Sequence, residues 1–79
     1  MSATTPDWER RRDLEGGKQA GVWLERDGTR ELYVEDLSYK NGGWVVWLYD
    51  DATDEWTDLG GYEEGSPAFE RALGWMGAD

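Results

Sequence analysis

Aromatic residues alternate with valine and leucine along several short segments of this chain, and that alternation restricts what it can fold into. Four of its six tryptophans, Trp23, Trp44, Trp47 and Trp56, lie in segments that read as β-strands, where successive side chains point to opposite faces. A strand with aromatic side chains on one face and aliphatic ones on the other gives its sheet two apolar faces. The chain's own helix can cover one; the other then calls for a partner, a ligand or a second subunit.

The carboxyl end supplies that helix. Ser66 reads as its N-cap and Pro67 as its first helical residue. Phe69, Ala72, Leu73 and Met76 follow at i, i+3, i+4 and i+7, a single apolar stripe, and Gly77 reads as the stop. Trp75 falls beside the stripe, placed to cover the edge of the sheet.

Strand pairing is read by parity, because a slip of one residue exchanges the two faces. Segments 21–26 and 31–37 flank Asp27-Gly28. A three-residue loop, Arg26-Asp27-Gly28, pairs Val22 with Leu32 and Trp23 with Glu31, which sorts Val22, Leu24, Leu32 and Val34 to one face and Trp23 and Tyr33 to the other. Segments 44–50 and 55–60 flank Asp51-Ala52-Thr53-Asp54; a four-residue loop pairs Tyr49 with Trp56 and Val46 with Leu59, and a two-residue turn at Thr53-Asp54 keeps the same sorting. Between the hairpins parity does not decide the connection: Asn41-Gly42 as a two-residue turn would put Val34 opposite Tyr49, so an odd loop through Gly43, or a bulge, is preferred, and Leu37 then lands on the aromatic side. Residues 7–14 carry helix signals, Thr5-Pro6-Asp7 as a start and Gly16-Gly17 as a stop, but Trp8 and Leu14 share no helical face; the preferred reading is a strand, with Trp8, Arg10, Arg12 and Leu14 on one side and the arginine stems covering apolar surface.

The expected architecture is α+β: one domain over residues 1–79 with 1–6 disordered, an antiparallel β-meander of four to five strands, and one C-terminal helix packed on its aliphatic face. Val22, Leu24, Leu32, Val34, Val46, Leu48, Leu59, Phe69, Leu73 and Met76 form its predicted core. The expected interaction face is Trp23, Tyr33, Trp47, Tyr49 and Trp56, with Leu37, Val45 and Tyr39 at its margin. The alternative is that residues 1–15, with Trp8, cover this face as a second core.

Composition narrows the chemistry. The chain has no cysteine and no histidine, which removes disulfides, thiolate sites, the usual ligands of zinc, copper and haem, and the usual general base near neutrality. No phosphate loop or nucleophile elbow is present. The reading is non-enzymatic, with no catalytic residue, cofactor or metal. Asp50-Asp51-Ala52-Thr53-Asp54-Glu55 lacks the glycine and the ligand spacing of a calcium loop and reads as a solvated turn. The amino terminus has no signal-peptide pattern, and the expected location is cytoplasmic.

The formal net charge of −10 is unevenly spread. Residues 1–20 balance four acids with four bases, whereas 21–79 hold fourteen acids against Arg26, Arg30, Lys40 and Arg71. Many acids, few lysines and short apolar side chains give a composition similar to that of proteins from salt-adapted cells, where such charge is background and not a signal for a partner; outside such a cell it suggests a basic partner or mimicry of a nucleic-acid backbone. Arg10, Arg11 and Arg12 form a basic arm, expected to neutralise the acidic stretch 50–64 in its own subunit or a neighbour.

These features define an interaction module whose aromatic face mediates homodimerisation or docking to another protein, with no membrane involvement. The alternative is a nucleic-acid-associated regulator, or a nucleic-acid mimic, using that face or the arginine arm. Exposed aromatics on a sheet can stack bases. The segment from Gly43 to Leu73, under half the chain, resembles the sheet-then-helix layout of AP2-type DNA-binding domains, which implies DNA contact through the sheet. Where that family supplies arginines, this segment supplies Asp50, Asp51, Asp54, Glu55 and Asp58, so the phosphate contacts that dominate such affinity have no cations to make them.

Overall fold

The computed structural model describes residues 7–77; the expectation of disorder for residues 1–6 lies outside them. Strands β1 (Trp8–Arg10), β2 (Gln19–Glu25), β3 (Arg30–Asp36), β4 (Trp44–Asp50) and β5 (Glu55–Tyr62) form one antiparallel sheet in chain order, and helix α1 (Gly65–Met76) follows. This is the α+β meander with a C-terminal helix that the sequence pattern predicts.

The helix packs on one face of the sheet. Ala68, Ala72 and Met76 are buried against Trp8, Trp23, Leu32, Val34 and Val46, with Phe69 and Leu73 packed around them. The apolar stripe therefore does what its spacing requires. The ends of the helix differ in how well the sequence marks them. Gly77 adopts the left-handed conformation (φ 82°) and donates to the Gly74 and Leu73 carbonyls, a geometry that costs glycine nothing. At the other end the cap is Glu64 and not Ser66, and its side chain makes no capping bond. Pro67 sits inside the first turn, where its missing N–H has no intrahelical partner to lose.

The β3–β4 loop is odd, as preferred; the β4–β5 hairpin keeps its expected faces but not the expected Val46–Leu59 pair; and the β2–β3 register differs by one residue. A seven-residue loop, 37–43, joins β3 to β4 and pairs Val34 with Val46, as an odd loop must. Between β4 and β5, Tyr49 pairs with Trp56, but a bulge shifts the register so that Val46 meets Gly60 and Trp47 meets Asp58. Leu59 still packs against the core. Asp58 Oδ1 accepts a hydrogen bond from the Gly60 amide at 2.8 Å, so this edge strand is kinked and one of its amides is satisfied locally, a device that discourages pairing with a foreign strand.

The β2–β3 register is the correction. Trp23 pairs with Leu32 and Val22 with Tyr33, so the connecting loop has even parity. Trp23 lies in the core at 0% exposure, while Val22 and Leu24 share the opposite face with Tyr33. Sorting aromatic from aliphatic residues had no physical necessity behind it, because an indole fills a core as well as a leucine does wherever there is room. Gly21 makes that room: a Cβ there would stand 2.7 Å from the Trp23 ring and 2.9 Å from Phe69.

Two arginines close the helix–sheet interface. Arg10 lies over Trp23 (5.0 Å) and Phe69 (5.6 Å), and Arg30 over Trp8 (5.6 Å) and Trp75 (5.4 Å). A glutamate holds each one: Glu15 pairs with Arg10 at 2.9 Å and Glu25 with Arg30 at 2.6 Å. The Arg30 hydrogen bond keeps the Glu25 carboxyl below its usual range against the opposing effect of burial. Trp8 packs edge-on against Trp75 on this same face, so β1 extends the sheet and its tryptophan turns toward the helix.

Candidate functional site: the open aromatic face

The face away from α1 presents Tyr33, Trp47, Tyr49 and Trp56. Cross-strand pairing brings them together: Tyr33 sits opposite Trp47, and Tyr49 opposite Trp56. Trp56 is the hub, with ring centroids 4.6 Å from Tyr49, 5.8 Å from Tyr33 and 6.4 Å from Trp47. It is also 57% exposed, whereas its three neighbours are half-buried. Of the five residues the sequence assigns to this face, four are here, and Trp23 is on the other side. Val45 and Leu37 flank the cluster as expected, and Tyr39 is exposed on the 38–40 turn.

Residues 8–10 do not cover this face, since they pair edge-to-edge with β2. The second-core alternative therefore fails for them, and the part of it that concerns residues 1–6 lies outside the described residues. The predicted strand over 7–14 is only three residues long, although Trp8 and Arg10 do share a side. Leu14 is exposed.

Carboxylates rim the cluster. The Tyr33 hydroxyl donates to Glu31, and that of Tyr49 to Asp54 at 2.7 Å. Burial, reinforced by Glu31, pushes the Tyr33 phenol well above its usual range. The Asp54 hydrogen bond, with some burial, pushes Tyr49 up to about 12. Beside the rings, Trp47, Trp56 and Leu37 border an open depression of about 460 Å³ whose lining is completed by Glu35 and Lys18. Glu35 is only 9% exposed, and its nearest cation, Lys18 Nζ, stands 3.6 Å away. A hollow of similar size at the β3–β4 loop is lined by glycines with Ser38, Asn41, Tyr62 and Glu63, and brings no comparable pairing of rings and charge together.

Sequence reasoning missed Glu35 and Lys18. The signal was available for Glu35: Glu31, Tyr33 and Glu35 alternate on one strand, so any register that exposes Tyr33 places both glutamates beside it.

The arginine arm is not where the sequence reading puts it. Arg10 is tucked under the helix with Glu15, and it also donates to the Ala20 carbonyl at 3.2 Å. Arg11 pairs with Asp13, and Arg12 is exposed. Among the described residues, none of the seven carboxylates in 50–64 forms an ion pair. The physical reason is local: strand geometry fixes Arg10 on the Trp8 side, and Asp13 and Glu15 lie closer in the chain than the distant hairpin.

No family model, curated protein or solved structure matches the chain. No helix among the described residues is long and apolar enough to cross a membrane.

Proposed function

We propose that this protein is a non-enzymatic interaction module that docks a protein, either a second copy or another chain, on the open aromatic face of its sheet. One observation carries the reading: the four-ring cluster of Tyr33, Trp47, Tyr49 and Trp56 stands uncovered by α1, with its hub, Trp56, mostly exposed. Aromatic side chains of this kind bury large area on association while keeping a polar handle, and they concentrate the energy of protein interfaces. The depression beside them is lined by one carboxylate, one ammonium and apolar groups, a lining suited to holding a side chain that is part apolar and part charged.

A nucleic-acid role has weaker support. Glu31, Glu35 and Asp54 border the rings where phosphate contacts would need cations, and Arg10 and Arg11 are engaged by Glu15 and Asp13.

Light scattering combined with acrylamide quenching tests the docking reading. A dimer whose indoles are shielded relative to a Trp56→Ala monomer identifies the second copy as the occupant. A monomer with a readily quenched indole, lost in Trp56→Ala, leaves the face free for another chain. A monomer in which Trp56→Ala removes no quenchable fluorescence contradicts the reading.

A further inference from the structure

The two faces of the sheet use the same ingredients with one omission. On the covered face, two aromatic pairs carry a guanidinium from the chain itself, held by a glutamate: Arg10 over Trp23 and Phe69 with Glu15, and Arg30 over Trp8 and Trp75 with Glu25. On the open face, Trp47 and Trp56 stand edge to face at 6.4 Å beside the nearly buried carboxylate of Glu35. Among the described residues, no cation lies over any ring of this cluster. The carboxylate and the indoles are present, and the arginine is not.

The geometry points to an arginine side chain of a basic protein segment as the occupant of the depression, its guanidinium against Trp47 and Trp56 and paired with Glu35. This rests on the reading of the open face as a docking surface, and it selects the occupant by charge. Glu35 lines the depression, Glu31 and Asp54 rim the adjoining tyrosines, and Asp58 sits opposite Trp47, so a second copy would bring the same acids against them. A basic segment brings the opposite sign. Arginine fits better than lysine because its planar group stacks on an indole and still presents a fork of donors to a carboxylate. Burial of Glu35 matters for the same reason, since a carboxylate shielded from water binds a cation more strongly than a solvated one. Lys18 is the present neighbour of Glu35, but its side chain is 49% exposed, its contact is 3.6 Å, and it stacks on neither indole. It is a loosely held cation that an incoming guanidinium can displace.

The test is titration of the full chain with a short acetylated, amidated peptide in which arginine alternates with serine, followed by calorimetry and tryptophan fluorescence at near-physiological salt. Two control peptides carry lysine, or citrulline, in place of arginine. The arginine peptide should saturate and perturb indole emission, the lysine peptide should bind severalfold more weakly, and the uncharged citrulline peptide should not bind. Glu35→Gln and Trp56→Ala should each weaken binding by about tenfold, the loss expected for one charge-assisted hydrogen-bonding or stacking partner. Lys18→Ala, which removes the competing cation, should tighten it. Cooperative urea unfolding of each variant confirms that its fold is retained.

Absence of binding overturns the inference, as does equal binding of the arginine and lysine peptides, or binding that Glu35→Gln leaves unchanged, which is diffuse charge attraction. Light scattering on the same samples separates the two levels of the argument. A dimer that Trp56→Ala dissociates, with no arginine binding, keeps the docking reading and replaces the basic segment with a second copy. A monomer that neither binds arginine nor has a quenchable Trp56 loses both.

Discussion

Both faces of this sheet carry a cluster of aromatic rings and treat them in opposite ways. Beneath α1, Trp8, Trp23, Trp44, Phe69 and Trp75 are interleaved with Leu32, Val34 and Val46 and closed by two arginine–glutamate pairs. On the other side, Tyr33, Trp47, Tyr49 and Trp56 lie against one another and against carboxylates. The first arrangement is complete, since each ring has aliphatic, aromatic or cationic neighbours across it. The second is open at its centre. Ring content therefore does not distinguish core from docking surface; what distinguishes them is whether the chain supplies the groups that cover the rings.

Substitution at the covered centre gives the largest test of that contrast. Trp23→Ala removes a fully buried indole from between Leu32, Phe69 and Arg10, and the expected loss is about 3–5 kcal/mol, as for other buried aromatic truncations. Urea unfolding measured by circular dichroism checks it. A loss below about 1 kcal/mol would place Trp23 back on the open face, as the aromatic-sorted register had it.

Salt gives the next effect. The seven carboxylates of 50–64 have no ion-pair partner among the described residues, so this stretch of chain repels itself. The Debye length is about 30 Å at 0.01 M salt and about 3 Å at 1 M, so screening removes most of that repulsion. The urea midpoint should rise by about 1–2 M between dilute buffer and molar potassium chloride, with excluded salts adding to burial. An unmoved midpoint would mean that the acids are neutralised in some other way, and the salt-adapted reading of the composition would fall with it.

Arg10 gives a smaller effect from the covered side. Arg10→Ala strips the cation from Trp23 and Phe69 and leaves Glu15 with its charge in a half-buried position. The expected cost is about 2 kcal/mol from the lost stacking and charged hydrogen bonding. Arg12→Ala, in an exposed neighbour, should cost almost nothing. Equal effects at the two positions would return Arg10 to a solvated arm.

These expectations show what was legible before the structure and what was not. The helix stripe, the odd β3–β4 loop and the Tyr49–Trp56 pair follow from spacing, because period and parity are geometric constraints. The β2–β3 register does not follow from parity, because grouping rings with rings favours the wrong loop length, whereas Gly21 opens a pocket for Trp23 beside Phe69. A glycine two residues before a tryptophan on the same strand was the available sign of that close approach. The depression was not legible either. Lys18 enters it from a loop outside the strand pattern, and Glu35 becomes part of it only in the register that places Tyr33 on the open face.

Alkali probes the open face selectively. Tyr49 titrates near 12 in the fold because it donates to Asp54, and Tyr33 is held higher still by burial and Glu31. Both phenols keep their protons when folded, whereas an unfolded tyrosine releases its own near 10. Their contribution is therefore fully present below pH 10 and is lost as pH rises through the folded values. Tyrosinate absorbance should show two phenols ionising late, and Asp54→Ala should bring Tyr49 forward without moving Tyr33. A shift in both would mean that the whole face had loosened.

The smallest expected effect lies at the hub of the open face, and its smallness is what the comparison requires. Trp56 touches three rings but is more than half exposed. Truncation forfeits cross-strand contacts worth about 0.5–1 kcal/mol in total and leaves no sealed cavity, because water enters a site already open. Trp56→Ala should therefore cost about 1 kcal/mol or less, against several for Trp23→Ala. If this residue served the fold as Trp23 does, the two losses would match, and the open face would be a second core whose cover lies elsewhere in the chain. If it serves a partner, the isolated chain barely registers its removal and the loss falls on binding. Unfolding and peptide titration of the same Trp56→Ala protein decide between them: stability nearly intact with binding reduced about tenfold separates docking from packing at a single residue.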